Sequence, residues 1–312
     1  MTDQYKLYIL DDKIQEEDFE PLGTKEKFWF HMKDNDTKQY LFKYSRTDTG
    51  EHWSEKIAEE LCKLLGIPHA TYEIASFKGR IGVFTPNLVS ENHRMVMGNE
   101  VLHTHTVQYP NPSEESQTYV KVKEHTVTRV LGCLDKAKIK PPLSADNSDL
   151  SSSDYFCGYL LLDTLISNQD RHHENWAIIL NNTTSENFLC PTYDHAASLG
   201  RELKDHEKEE RLATKDKCRT VDKFVTKAKS AIYKLKTDKK PLSTLDAFLH
   251  ATERKPTTRK YWIDKIIDKI NEDTINNLFD KFPEEIFSKK SKEFACKMII
   301  ENKKRLLSHE IK

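Results

Sequence analysis

The chain has 312 residues, 37% hydrophobic and 32% charged, and its 49 Lys and Arg nearly cancel its 50 Asp and Glu to leave a formal net charge of −1. That length buries a sizeable core as one large domain or two lobes, and the charge balance excludes a polyanion-binding protein driven by global charge, leaving local patches open. The Met1-Thr2-Asp3-Gln4-Tyr5 start lacks the basic and apolar segments of a secretory leader, no apolar run reaches membrane-spanning length, and six scattered cysteines without a CxxC pair read as reduced thiols; a protein of the cytoplasm, or of a host cytosol if delivered as an effector, with no membrane association and no direct nucleic-acid binding is expected.

The segment before Pro86 reads as strands plus one helix. Phe28–Lys33 and Gln39–Tyr44 flank the turn-rich Asp34-Asn35-Asp36-Thr37-Lys38, a hairpin signal. Ser54 then caps an expected helix from Glu55 to Leu65, with Ile57, Ala58, Leu61, Leu64 and Leu65 on one stripe and Gly66 and Pro68 ending it. Thr71–Ala75 and Arg80–Phe84, joined by Ser76-Phe77-Lys78-Gly79, form a second hairpin.

Past Pro86-Asn87 the pattern turns helical. Val127, Val130, Leu131 and Leu134 share a helical face, the Ser-, Asp- and Pro-rich stretch from Pro141 to Ser153 reads as an exposed loop, and the apolar run Tyr155–Ile166 is the candidate central helix. Trp176–Leu180 and Phe188-Leu189-Cys190 bracket an Asn-rich turn, a third hairpin. Between Arg201 and Lys240 the chain is highly charged, with Phe224, Ala228, Ile232 and Leu235 at helical spacing, and basic clusters such as Lys227–Lys240 read as solvated helix faces. Amphipathic helices follow from Tyr261 to the end. The expected class is α+β: a β-rich amino-terminal lobe over 1–87 and a larger helical lobe over 88–312, joined near Val83–Leu88 in a kinase-like layout.

The chemistry concentrates in Asn168-Gln169-Asp170-Arg171-His172-His173-Glu174-Asn175 and, after the third hairpin, Asp194. Phosphoryl transfer needs one carboxylate to accept or orient the proton of the attacking hydroxyl, and an amide oxygen and a second carboxylate for Mg²⁺. Asp170 and Asn175 have the Asp-x4-Asn spacing of that pair, and a hairpin returns Asp194 toward Asn175. Asp-x4-Asn alone is weak, since these residues are common in turns and caps. Order adds to it. Lys43 on a strand is placed to meet α/β-phosphates and Glu55 in the first turn of the next helix to pair with it, against the plainer reading of a surface lysine and a dipole-favoured acid. Gly23-Thr24, ahead of the first strand, lets backbone amides approach phosphates, or is an ordinary entry turn. Val83 and Phe84, at the joint, are candidates to line the nucleotide site. His172 is expected to orient the catalytic loop; its adjacency to His173, and His103-Thr104-His105, lack the three- or four-residue spacing of helical metal pairs.

These segments resemble HipA-like serine/threonine kinases: the Asn168–Asn175 loop followed by Tyr193-Asp194, Ser54-Glu55 through Leu65-Gly66-Ile67-Pro68, and Gly23-Thr24-Lys25-Glu26-Lys27. The resemblance runs from about residue 20 to 200 and more loosely beyond. It implies a bilobal kinase fold using ATP and Mg²⁺, with Asp170 as catalytic base, Asn175 and Asp194 as metal ligands, and Lys43 with Glu55 positioning phosphates. It also implies a toxin of a toxin–antitoxin pair, with a HipB- or HipS-like antitoxin and an aminoacyl-tRNA synthetase as protein substrate, of the short HipT-like branch without the extra amino-terminal subdomain. Glu20-Pro21-Leu22 precede Gly23 where that family often has a serine, leaving Thr24 as the nearby hydroxyl. Tyr193-Asp194-His195 replaces the Asp-Phe-Gly of eukaryotic kinases. Asp-Arg-His-x-x-Asn also occurs in phosphatidylinositol kinases, so a lipid kinase is one rival; an inactive kinase-fold binding module is the other.

Overall fold

Aromatic alternation builds the first layer. In the computed structural model, which describes residues 4–12, 14, 17–19, 26–32, 35–110 and 122–309, the amino-terminal part holds β1 (Tyr8–Ile9), β2 (Glu17–Phe19), β3 (Lys27–Met32), β4 (Asn35–Tyr44), α1 (Glu51–Leu65), β5 (Glu73–Phe77) and β6 (Arg80–Pro86). The strands form one sheet in the order β1-β5-β6-β4-β3-β2. Both expected hairpins, β3–β4 and β5–β6, are present as antiparallel pairs. Phe42 lies opposite Phe28 and Phe84, whereas Lys43 lies opposite Lys27 and Val83. Side chains alternate along a strand, so the phenylalanines share one face and Lys43 and Val83 the other. The first face is a closed aromatic cluster of Phe28, Phe30, Phe42, Tyr44, Phe77 and Phe84, with the Phe28 and Phe42 rings 5.3 Å apart. The second turns toward α1 and the main core, which includes Ile57, Ile74 and Val83.

Helix α1 begins at Glu51, earlier than a Ser54 cap would start it. Gly50 takes the cap position and donates its N–H to the Arg201 carbonyl at 2.9 Å. Ser54 is buried inside the first turns, and its hydroxyl donates to the Ser198 carbonyl at 3.2 Å. The helix ends at Gly66, whose φ of 71° is the left-handed conformation glycine adopts without penalty. Its buried surface includes Glu51, Glu55, Lys56 and Glu59 as well as the apolar stripe, so α1 is sandwiched rather than laid on a surface.

The remainder holds β7 (His93–Met97), α2 (Gly98–His105), α3 (Val127–Lys136), α4 (Ser152–Ile166), β8 (Ala177–Asn181), β9 (Asn187–Leu189), α5 (Asp205–Ala213), α6 (Val221–Val225), α7 (Thr244–Ala251), α8 (Pro256–Lys269), α9 (Glu272–Phe279) and α10 (Lys289–Ser308). The expected third hairpin is β8–β9, extended by β7 into a three-stranded sheet. Helix α4 starts at a capping box made by Ser151 and Asp154 and is buried almost all round. The helix expected through Ala228, Ile232 and Leu235 is not formed. That stretch bonds sideways: Ser230 N–H to the Leu242 carbonyl, Leu242 N–H to that of Ile232, and Tyr233 N–H to that of His125. Ala228 and Ile232 are buried, but Leu235 is exposed. Long-range backbone partners outcompete the local ladder here. Among the described residues, no helix is long and apolar enough to cross a membrane.

Gly158 in α4 marks a close contact between α4 and α8. A Cβ there would stand 2.5 Å from the Trp262 ring on α8, and that ring is fully buried. Gly158→Ala gains up to about 1 kcal/mol of helix propensity but incurs roughly 1–3 kcal/mol of overpacking. We expect net destabilisation of about 1 kcal/mol, read by chemical denaturation; an increase in stability would show that α8 yields without cost.

Candidate active site

Lys43 projects from β4 on the face shared with Val83. Its Nζ lies 3.6 Å from Asp194 Oδ2, with the lysine side chain 11% exposed. It also stands over the Tyr72 ring, 5.9 Å from the centroid. Burial disfavours its ammonium, but Asp194 and then Glu55 outweigh that and raise its pKa above the ordinary lysine value. Glu55 reaches the same place from α1. It is buried, and its Oε2 accepts the His195 backbone N–H at 2.8 Å. Lys43 thus forms its ion pair with Asp194, while Glu55 grips the backbone one residue further and adds its charge to the same field.

Asp194 has φ 58°, in the left-handed region that Asp tolerates better than most residues. Its N–H donates to the Tyr72 hydroxyl oxygen at 3.1 Å. Tyr72 is itself anchored, its N–H on Glu59 Oε2 at 2.8 Å and its carbonyl accepting Lys56 Nζ at 2.8 Å. Burial, followed by the Arg171 charge, keeps the adjacent His195 pKa well below the usual imidazole value, so its ring is neutral; its Nε2 is 2.8 Å from Thr192 Oγ1. Tyr193 donates its hydroxyl to the Glu174 carbonyl at 2.8 Å, tying the Asp194 segment to the residue before Asn175.

The loop carrying Asp170 is fixed by a buried ion pair between Arg171 and Asp163. Arg171, fully buried, donates from Nε to Asp163 Oδ2 and from Nη2 to Asp163 Oδ1, both at 2.8 Å, and from Nη1 to the Asn175 carbonyl at 2.6 Å. Asn168 Nδ2 also donates to Asp163 Oδ1 at 2.8 Å. One carboxylate on α4 therefore holds both ends of the loop. Within it, Asn175 Nδ2 donates to the Asp170 carbonyl at 2.6 Å, so its amide nitrogen is engaged within the loop. Asp170 keeps its side chain 44% exposed, with His172 Nε2 at 3.8 Å from Oδ1. His172 Nδ1 accepts the Glu174 N–H at 3.2 Å. With Nδ1 accepting that N–H, the ring's own N–H is on Nε2, facing the Asp170 carboxylate.

Of the remaining sequence candidates, Phe84 points to the aromatic cluster, on the opposite face from Lys43, so its side chain does not share that site. Gly23 and Thr24 lie outside the described residues. His173 Nδ1 is 2.7 Å from the Tyr109 hydroxyl, and His103 Nδ1 is 3.1 Å from the Tyr109 carbonyl. Among the described residues, no group of three or more His, Cys, Asp or Glu is placed to hold a metal. The Asn175 amide oxygen and the Asp194 carboxylate are a donor set that fits Mg²⁺, which takes hard oxygens, binds through one or two carboxylates and completes its shell with phosphates and water.

Tyr72, Asp163, Arg171 and His195 are the supports missed from sequence. Asp163 had a signal: a lone acid in the apolar run Leu160-Leu161-Leu162-Asp163-Thr164-Leu165-Ile166 requires a buried partner. Tyr72 had none, because its role arises only where β5 meets the Asp194 segment. Tyr72→Phe keeps the ring over Lys43 but leaves the Asp194 N–H without its acceptor, a loss of about 1–3 kcal/mol. The Mg²⁺ concentration that half-saturates nucleotide binding is expected to rise about tenfold, with metal-free nucleotide binding unchanged, by calorimetric titration. An unaltered Mg²⁺ dependence would remove Tyr72 from the support of Asp194.

A scan against protein-family models found no match, and no curated protein matched either. Solved structures did. The Helicobacter pylori proinflammatory kinase CtkA aligns over 94% of this chain and 97% of its own, with a TM-score of 0.66 at 18% identity. HipA of Shewanella oneidensis MR-1, in a toxin–antitoxin complex with HipB and operator DNA, aligns over 96% of this chain and 70% of its own, with a TM-score of 0.43 at 13% identity. A Golgi casein kinase aligns over 98% and 73%, with a TM-score of 0.41 at 13% identity. The likeness to CtkA shows the fold: the chain has the α+β kinase fold expected from its HipA-like motifs.

Proposed function

We propose that this chain is an ATP- and Mg²⁺-dependent serine/threonine protein kinase. The observation that carries the reading is the convergence on one acid of three separate segments: Lys43 at 3.6 Å from the Asp194 carboxylate, Tyr72 on the Asp194 amide and Glu55 on the amide of the next residue. A strand lysine, a helix glutamate and an acid suited to Mg²⁺ gathered at one place are the groups phosphoryl transfer uses to position phosphates and metal. When bound, ATP supplies the phosphoryl group and Mg²⁺ neutralises its charge. The chain's own groups then have distinct tasks. Lys43 presents an ammonium to the phosphates, Asn175 and Asp194 offer the metal oxygens, and Glu55 fixes the backbone after Asp194. Asp170 accepts or orients the proton of an acceptor hydroxyl, with His172 holding the carboxylate in place. The motif resemblance assigns Gly23 and Thr24 to the phosphates, and Val83 lines the nucleotide side.

The motif resemblance extends the proposal. It makes the chain a cytoplasmic toxin of a toxin–antitoxin pair, with a HipB-like antitoxin and a translation component such as an aminoacyl-tRNA synthetase as acceptor. No residue described above selects that acceptor.

Thermal shift with Mg·ATP tests the nucleotide part. At ligand near one hundred times Kd, wild type gains about 2.7 kcal/mol. Asp194→Ala is expected to lose the Mg²⁺-dependent share of that gain. A variant stabilised by Mg·ATP as strongly as wild type would remove Asp194 from the metal site.

A further inference from the structure

The lysine-rich stretch over 215–240 carries ten cations (nine Lys and Arg219) against three acids, in a chain whose net charge is −1. The rest of the chain is therefore net acidic, and the cations are segregated rather than mixed. All ten are exposed. The three acids are occupied locally. Asp216 Oδ1 accepts the Cys218 N–H, Asp238 Oδ2 accepts the Leu235 N–H, and Asp222 is held below the usual carboxylate range, first by the Thr220 hydroxyl. Arg219 pairs with Glu210. The lysines are left facing solvent, Lys223 on the short helix α6 and those from Lys229 to Lys236 on a chain that bonds sideways to 242–244 and 125.

The middle of this stretch shares a hollow with the residue before Asp170. A hollow of about 110 Å³ is lined by Gln169, Ser198, Glu202, Phe224, Lys227 and Met298. Gln169 immediately precedes Asp170, and its N–H donates to the Ala197 carbonyl at 3.2 Å. Lys227 thus shares a hollow with the residue before Asp170, and the chain leads on to Lys229, Lys234 and Lys236. Glu202 is the acid on this rim.

Resting on the kinase reading, we infer that the 215–240 stretch docks an acidic segment of the acceptor protein, so that the preferred serine or threonine lies among aspartates and glutamates. Excess like charge next to a reaction centre attracts the opposite sign and sets both register and encounter rate. A nucleic-acid partner fits less well. Single-strand binders alternate cations with open aromatic faces for base stacking. The two aromatics in this stretch are used internally: Phe224 packs 5.5 Å from Phe294 with Arg211 over its ring, and Tyr233 is buried.

Two measurements on the full chain test this. The first is transfer from Mg·ATP to serine peptides flanked by Glu, Ala or Lys. The second is fluorescence anisotropy of a labelled Glu-flanked peptide, which needs no turnover and is repeated with Asp170→Asn. Wild type is expected to favour the Glu-flanked peptide over the Ala-flanked one by about tenfold in kcat/KM, the product of several weak exposed contacts, and to lose that preference as salt rises. Lys223→Glu/Lys229→Glu/Lys234→Glu/Lys236→Glu should abolish the preference and the anisotropy signal while leaving transfer to the Ala-flanked peptide unchanged. The corresponding Gln variant should fall between. Equal use of the three peptides, or a preference that survives the Glu variant, overturns the proposal. So does tight binding of polyuridine at this stretch without any preference for the acidic peptide. Anisotropy binding without transfer to any peptide would contradict the kinase reading and leave the docking surface standing.

Discussion

Asp170→Asn is expected to lower phosphate transfer by about 10³-fold while nucleotide affinity stays within a few fold. The substitution removes a proton acceptor and little else. The Asp170 side chain is 44% exposed, so no buried charge is created or lost. The backbone of the residue carries the structural contacts: its carbonyl accepts Asn175 Nδ2 at 2.6 Å and its N–H meets Asn168 Oδ1 at 3.3 Å. Both survive in the amide. General-base groups contribute about 10²–10⁴-fold, and the orientation that His172 gives the carboxylate places the expectation within that range. Stability should change by less than about 0.5 kcal/mol, as for other surface substitutions. Steady-state kinetics with paired nucleotide titration separates the two effects, and a variant that turns over like wild type would rule out Asp170 as the base.

Asp163→Ala is expected to have the largest effect on stability. It strips a fully buried guanidinium of two charge-assisted hydrogen bonds and frees Asn168 as well. Breaking a buried pair from one side costs about 3–5 kcal/mol, because the remaining charge stays desolvated. For a chain of this size that corresponds to an apparent Tm lower by roughly 5–8 °C. Activity should fall with it, since Arg171 also holds the Asn175 carbonyl. The double variant Asp163→Leu/Arg171→Met removes both charges and should recover most of the stability without recovering activity. Additive losses in that cycle would mean that the pair is not coupled.

Much of this site was legible as an order of residues and little of it as a set of contacts. Strand alternation in β3 and β4 fixed Lys43 on the face away from the phenylalanines, and the β8–β9 hairpin explained why Asn175 and Asp194 are separated by nineteen positions. The same parity places Phe84 with Phe42, so taking Val83 and Phe84 together as cleft residues ignored the period of two. Helix α4 gave no helical stripe because it is buried on all sides. Strand β7, with two of its five residues basic, His93 and Arg94, showed no alternation, and exists because β8 pairs with it. Ser54 resembled a cap, but the helix start is set by Gly50 and the distant Arg201 carbonyl, which no local rule sees. The stretch through Ile232 failed for the same reason: its backbone partners are at 125 and 242. Asp163 was the one distant support that chemistry alone could have revealed.

The central claim is that this chain transfers phosphate from ATP to protein hydroxyls. The most direct measurement is incubation of the purified chain with γ-labelled ATP, Mg²⁺ and a bacterial lysate, followed by phosphosite mapping, with Asp170→Asn in parallel. The account predicts Mg²⁺-dependent label on serine or threonine of a few proteins, absent with the variant. Label appearing only on phosphoinositides, or equal label with the variant, would contradict it.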